Sequence, residues 1–308
     1  MKLAAFDVGS NTVLMLVVEP LGSELKEIAN FSRITRLGQG VDKSGKLDPE
    51  AAKRTLDAIV EFSGKAHESG VDRIVGVATA ALRDASDGLA FIAQVKQLAG
   101  FDLEVITGEA EAQLSYLAVE RGLQIDPKAK LLIVDIGGGS TELIRAEAGR
   151  MVEVVSLQIG SVRLTERHVK HDPPSAPDTA ELRLATDEKL QALHWNYAPE
   201  TLVGIAGTVT TIAAVTMGLA QYDSKLVHGH RLSHAEVIRT VLTFGAMPLA
   251  QRRKLAGLDE GRADVIFAGG AILERIMAHF HLNEVIVSDQ GVRWGLAWRE
   301  LMKDGVIH

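Results

Sequence analysis

At 308 residues the chain is about twice the roughly 150 residues usual for one domain, so two domains are expected. Its 46% hydrophobic and 24% charged residues are ordinary for a globular core and exclude disordered, collagen-like and coiled-coil classes. With no cysteine there are no disulfides or thiolate metal sites, and a formal net charge of −7 argues against sequence-independent nucleic-acid binding, which needs basic patches.

In chain order, residues 2–19 read as an apolar strand, a Gly-Ser-Asn turn and a second apolar strand. Asp7, Gly9, Ser10 and Asn11 interrupt the apolar run, and six apolar residues follow. Neither a signal peptide, with about 7–15 unbroken apolar residues, nor a membrane span of about 20 is present, so a cytoplasmic protein without a membrane partner is expected. Thirty mixed polar residues lead to a helix that Asp48 caps and Pro49 opens, with Ala52, Leu56, Ile59, Val60 and Phe62 near helical spacing. A buried strand at 73–78, a helix-rich return at 80–100, a strand at 103–106 and a helix at 109–122 complete the first half.

The stretch 130–145 repeats the opening theme. Asp7-Val8-Gly9-Ser10-Asn11-Thr12 parallels Asp135-Ile136-Gly137-Gly138-Gly139-Ser140-Thr141, with the two aspartates 128 residues apart. The repeat predicts a duplicated domain, with units 1–125 and 126–308 and the last helix a candidate to pack back on the first. Then come an extended segment at 154–159, a proline-rich loop at 173–177 and an amphipathic helix at 179–193. A strand at 201–205 enters the turn Ala206-Gly207-Thr208, further helices follow, and a strand at 284–287 precedes a closing helix at 292–302. Alternating strands and helices predict an α/β class.

The strand-end turns carry the chemistry. Glycine lets the backbone approach a ligand closely, and consecutive amides can then converge on an anion as a nest. Serine and threonine hydroxyls add donors. An aspartate at the strand end repels phosphate, so it suits a divalent cation or a bound water. No G-x-x-x-x-G-K-[ST] or strand-associated G-x-G-x-x-G occurs, which removes the P-loop and Rossmann readings.

Glu109 and Glu111 begin a helix, where both favour the positive end of its dipole, or Glu111 serves as a general base for an attacking water. Asp135 and Glu142 flank the second turn and match the one or two carboxylates that Mg²⁺ takes besides phosphate and water. Arg83 follows a strand and starts a helix, placed either to grip phosphate or to lie on the surface; Arg163 and Arg293 sit near other turns. The spacing His228-x-His230-x-x-x-His234 is compatible with a metal site, but Gly229 and Ser233 read as a loop leading into a helix that Ser233 caps. Trp195, Trp294 and Trp298 are read as packing residues.

Taken in order, these motifs resemble the exopolyphosphatase / guanosine pentaphosphate phosphohydrolase family over essentially the whole chain. The resemblance rests on Asp7 to Thr12, Ala78 to Arg83, Gly108-Glu109-Ala110-Glu111-Ala112, Asp135 to Leu143, Gly160-Ser161-Val162-Arg163, Ala206-Gly207-Thr208, Gly261-Arg262-Ala263-Asp264 and Ser288 to Arg293. It implies two ribonuclease-H-like, actin-like domains with the active site in the cleft between them, a Mg²⁺ or Mn²⁺ cofactor and a homodimer. By position it makes Glu111 the water-activating base, Asp135 and Glu142 the metal ligands, and Ser10, Asn11, Thr12, Arg83, Gly137, Gly138, Gly139, Ser140, Thr141, Gly207 and Thr208 the phosphate contacts. Thr12 stands where serine is usual. The chain also stops after the second domain, where longer relatives add helical domains, which leads to an expected preference for shorter polyphosphate. The expected activity is hydrolysis of the terminal phosphoanhydride of polyphosphate. The alternative is conversion of guanosine pentaphosphate to the tetraphosphate; a kinase of the same fold and a non-catalytic sensor are the remaining rivals.

Overall fold

The apolar run at the N-terminus folds as β1 (Leu3–Val8) in the middle of a five-stranded sheet, in a computed structural model that describes residues 1–307 apart from the side chain of residue 42. β2 (Thr12–Leu21) and β3 (Glu24–Ile34) pair antiparallel with it in turn, while β4 (Arg73–Ala78) and β5 (Leu103–Val105) add parallel on its other side. Between them run α1 (Val41–Ser44), α2 (Pro49–Glu68), α3 (Ala80–Asp84) and α4 (Gly88–Ala99), and α5 (Gly108–Gly122) follows β5. Asp48 caps α2 as its sequence predicts, accepting from the Ala51 amide at 2.8 Å.

Side chains alternate along β1, and both faces are covered, so the strand is apolar nearly throughout. Ala4, Phe6 and Val8 join a core with α2 and α4, whereas Leu3 and Ala5 face the core built by α5 and the closing helix, α13 (Val292–Lys303). Asp7 continues the Leu3–Ala5 stripe and so points to the α13 side. Trp294 and Trp298 are buried in that layer.

The second sheet repeats the plan. β6 (Leu131–Ile136), β7 (Thr141–Glu147) and β8 (Arg150–Leu157) are antiparallel neighbours, and β9 (Thr201–Ile205) runs parallel to β6. α6 (Ser161–His168) and α7 (Ala176–Gln191) follow β8. α8 (Ala206–Thr216), α9 (Ser224–Val227), β10 (Arg231–Ser233), α10 (His234–Ala246), α11 (Leu249–Arg252) and α12 (Ile266–His279) lead to β11 (Glu284–Val287). The orders are β3-β2-β1-β4-β5 and β8-β7-β6-β9-β11-β10, the same ribonuclease-H-like sequence with β10 added at one edge. Leu132, Val134 and Ile136 enter a core with α8, α10 and α12. Trp195 packs beside Tyr197 and Phe280, and its indole donates to Glu153 at 3.0 Å.

The chain divides into two compact units, Met1–Ala118 with the chain from Gly291 onward, and Val119–Gln290. The division falls inside α5, where the sequence places it at 125/126.

Three elements correct the sequence reading. The polar stretch before α2 holds β3, eleven residues at the sheet edge and half-exposed along most of its length, so it lacks an apolar signature. The helix expected at 179 starts at Ala176, because Ser175 and Asp178 form a capping box and Pro177 fits the first turn. Ser161–His168 is a helix where the sequence Gly160-Ser161 suggests only a turn.

Candidate active site

In the first unit the β1–β2 turn closes with the Gly9 amide on the Thr12 carbonyl at 3.0 Å. The carbonyls inside it turn toward the loop after β3: Asn11 O accepts from the Thr35 and Arg36 amides, at 2.9 and 3.0 Å, and Ser10 O from the Gly38 amide at 2.8 Å. The loop lies so close that a Cβ on Gly38 would stand 2.8 Å from the Ser10 Cβ. Arg36 holds a left-handed φ of 57°, a strain typical of functional loops. With the carbonyls tied down, the Ser10 and Asn11 amides donate to no protein acceptor among the described residues. Burial pushes the neighbouring Asp7 carboxyl up to about 6, against the pull of the Arg293 guanidinium in the first turn of α13.

Glu111 sits in the first turn of α5, its amide donating to Thr107 O at 2.9 Å, while the Thr107 hydroxyl accepts from the Ala110 amide at 3.1 Å. Ala112, Leu114 and Ala118 turn into the core; Glu111 is half-buried and Glu109 exposed. Arg83 is exposed and reaches this helix start, donating to Ile106 O at 3.2 Å, with its Nε 3.6 Å from Asp84.

In the second unit the Gly137 amide closes the β6–β7 turn on Ser140 O, again at 3.0 Å. Here the carbonyls are tied by the segment that follows the third strand, the first turn of α6. Gly137 O accepts from the Ser161 amide at 2.9 Å, Gly138 O from the Val162 and Arg163 amides at 2.9 and 3.0 Å, and Gly139 O from Arg163 Nε at 2.7 Å. Backbone meets backbone: a Cβ on Gly160 would lie 2.4 Å from Gly138 O, so this position needs glycine. The Gly138, Gly139 and Ser140 amides are left without a protein acceptor among the described residues. Arg163 therefore supports the turn.

Asp135 and Glu142 are cross-strand partners in the β6–β7 register, which puts both carboxylates on one sheet face. The Ser140 and Ser156 hydroxyls donate to Glu142 Oε1 at 2.7 and 2.8 Å and orient it. Like charges directly opposite are unfavourable, so the pair suits a shared hard cation, and two carboxylates match what Mg²⁺ takes beside phosphate and water. Among the described residues no group of three or more His, Cys, Asp or Glu forms a metal cluster, and this includes the His228–His234 run.

Thr141 and Thr208 are buried, and their hydroxyls are engaged, donating to Ile159 O at 2.7 Å and Ile136 O at 3.0 Å. Beside them β9 enters α8 through Ala206, at a left-handed φ of 63°. Gly207 lies under the Arg262 guanidinium: a Cβ there would fall 2.2 Å from its Cζ. Sequence reading noted Arg262 only within a motif, because nothing local shows that it returns to Gly207. No helix among the described residues is long and apolar enough to cross a membrane.

The whole chain is similar to known proteins. The profile of the Ppx/GppA phosphatase family matches residues 16–304. Exopolyphosphatase 2 of Mycobacterium tuberculosis is 33% identical over 313 residues, covering 96% of this chain and 97% of that protein. Guanosine-5'-triphosphate,3'-diphosphate pyrophosphatase of Vibrio atlanticus is 30% identical over 298 residues, covering 96% of this chain and 58% of that one. The crystal structure of the Aquifex aeolicus Ppx/GppA family member superimposes with a TM-score of 0.86 at 33% identity, covering 99% of this chain and 98% of that one. An exopolyphosphatase from Cytophaga hutchinsonii superimposes at 0.89 with 26% identity, covering 100% and 99%. The chain belongs to the Ppx/GppA phosphatase family.

Proposed function

We propose that this protein is an exopolyphosphatase, hydrolysing the terminal phosphoanhydride of inorganic polyphosphate and releasing orthophosphate. The observation that carries the reading is that each unit has a turn whose carbonyls are tied back while its amides, of Ser10 and Asn11 in one and of Gly138, Gly139 and Ser140 in the other, are left to bind an anion. A net charge of −7 disfavours a polyanion in the far field, so such local donors must dominate at short range. Polyphosphate is favoured because the similarity to the mycobacterial exopolyphosphatase spans nearly all of both proteins. The Vibrio relative keeps guanosine pentaphosphate as the second reading.

In this mechanism the turn amides, the Ser10 hydroxyl and Arg83 contact phosphate, while the Ser140 hydroxyl stays on Glu142. Asn11, Thr12 and Gly137 shape the turns, and Gly207, at the N-terminus of α8, lets the Arg262 guanidinium pack against the backbone there. Thr141 and Thr208, their hydroxyls already engaged, contribute by fixing the turns. Asp135 and Glu142 would hold the divalent cation, Mg²⁺ or Mn²⁺, which when bound neutralises phosphate charge. Glu111 orients a water in line with the scissile bond and takes its proton as the new P–O bond forms. The bridging P–O bond breaks, and the shortened chain leaves with the electron pair. Phosphoryl transfer needs positioning and charge stabilisation more than covalent chemistry, which suits this set of groups.

The test is phosphate release from polyphosphate and from guanosine pentaphosphate, measured side by side for the native protein and Glu111→Gln. The expected result is faster release from polyphosphate and a roughly 10²–10⁴-fold fall in the variant. Native-like turnover by a folded Glu111→Gln protein refutes the base, and preference for the pentaphosphate refutes the substrate.

A further inference from the structure

Helix α5 carries Glu111 in its first turn and ends at Gly122, eleven residues on and about 16 Å along the axis at 1.5 Å per residue. That far end is held. His228 places Nε2 2.9 Å from the Gly122 carbonyl oxygen and Nδ1 3.3 Å from the Asp289 amide nitrogen, with the Ser288 hydroxyl 3.5 Å from Nδ1. A carbonyl only accepts and an amide N–H only donates. The two contacts together therefore select one neutral tautomer, with the proton on Nε2 and the lone pair on Nδ1.

The partner turn is itself closed. Ser288 Oγ donates to Gln290 O at 2.9 Å and accepts from the Gln290 amide at 3.1 Å, while the Tyr222 hydroxyl donates to the Asp289 carboxylate. The Gln290 carboxamide lies over Gly122, where a Cβ would stand 2.1 Å from its Oε1. The chain passes between its two units within α5, after Ala118, and again after Gln290. Both bonds of the imidazole end within four residues of one of these passages.

We propose that His228 is a positioning residue for the reaction: it locks the last turn of α5 to the Ser288–Gln290 turn and, through the stiff helix, sets where the Glu111 carboxylate stands. The inference rests on Glu111 being the base, as proposed above. His228 touches neither substrate nor reacting atoms, so its removal acts on kcat rather than on KM.

Three variants test it. His228→Gln sets a carboxamide N–H near the position of Nε2, His228→Asn sets a carboxamide oxygen near that of Nδ1, and His228→Leu supplies neither. Phosphate release from polyphosphate by His228→Leu is expected to lose about 10- to 100-fold in kcat, the scale of a 1 Å misplacement, with KM within about two-fold of native. His228→Gln recovers most of that loss and His228→Asn does not. Amide hydrogen exchange in the last turn of α5 reads the clamp without activity: fast in the Leu and Asn variants, protected in Gln. If the Leu variant fails to fold, the Gln and Asn pair carries the comparison.

In a Glu111→Gln background His228→Leu should cost nothing more, since it acts through Glu111. A native kcat in His228→Leu, a loss confined to KM, or an equal further loss in the Glu111→Gln background overturns the proposal. Full turnover by Glu111→Gln alone sinks the base assignment instead, whereas lost exchange protection with kcat intact sinks only the role of His228.

Discussion

Gly295 stands where α13 crosses α5, and a methyl group there has nowhere to go. A Cβ built on it lies 1.9 Å from the Leu114 carbonyl oxygen, 2.5 Å from its carbon and 2.8 Å from its Cα. These are backbone atoms in the middle of a helix, so no rotamer change clears them. Ordinary contact begins at 3.4 Å, which requires the crossing to open by about 1.5 Å. The layer that must give contains Trp294, Trp298, Leu114 and Ala118, all buried. Overpacking of this kind costs about 1–3 kcal/mol, at the upper end when backbone must move, and alanine returns about 1 kcal/mol of helix propensity. Gly295→Ala should therefore lose about 2 kcal/mol net, by the difference of those two terms.

Gly64 is the matched control: it lies in α2, exposed, with nothing within 4 Å of a built Cβ. Gly64→Ala should gain about 0.4–1 kcal/mol by the same propensity argument. Urea unfolding of both variants gives the two signs directly, with an unchanged m-value confirming that the native and unfolded states are otherwise alike. Leu114 lies three residues after Glu111, so Gly295→Ala should also lower kcat for phosphate release. A Gly295→Ala protein as stable as Gly64→Ala would show that the close crossing carries no cost and refute the reasoning.

Two further outcomes follow from the carboxylates. The folded Asp7 carboxyl keeps its proton up to about pH 6, while the unfolded one loses it near 3.8, so the native state holds the extra proton between those values. Stability should then fall as pH rises from about 4 to 6, by up to about 3 kcal/mol and less to the extent that the half-exposed carboxyl keeps water. Asp7→Asn removes that slope in chelator-containing buffer, and an unchanged slope in denaturant melts refutes it. Glu142→Gln relieves like-charge repulsion across β6 and β7, so the metal-free protein should gain about 0.2–1 kcal/mol. The same change should abolish the rise in melting temperature produced by Mg²⁺ or Mn²⁺; a native-sized rise in the variant refutes the ligand assignment.

The central strands are legible because both faces of each sheet are covered, which leaves β1, β4, β6, β9 and β11 as nearly continuous apolar runs. The edge strand β3 is not, since its half-exposed residues look like a polar loop. The acids at the turns are legible as residue types, and the pairing of Asp135 with Glu142 follows from a turn that closes Gly137 on Ser140. What the sequence hides is close approach between distant segments. Gly160 against Gly138, Gly207 under Arg262 and Gly295 on Leu114 each look like one glycine among 29. The strain at Arg36 and Ala206 is hidden for the same reason: neither residue type favours a left-handed φ, and only tertiary contacts can hold it there.

The duplicated turns share a backbone device and differ in charge. In both, the segment after the third strand, a loop in the first copy and the first turn of α6 in the second, ties the turn carbonyls and leaves the amides outward. The first copy sets Asp7 opposite Leu14, whereas the second sets Asp135 opposite Glu142. A lone acid beside a buried arginine is a poor cation ligand, because the guanidinium already supplies positive charge next to it. Two facing carboxylates, one of them oriented by Ser140 and Ser156, are a good one. The proposed roles follow that asymmetry: the cation goes to the second copy, and the base, Glu111, comes from the part of α5 that belongs to the first unit. Duplication accounts for the two nests, and divergence at the position of Leu14 and Glu142 accounts for where the cation should bind.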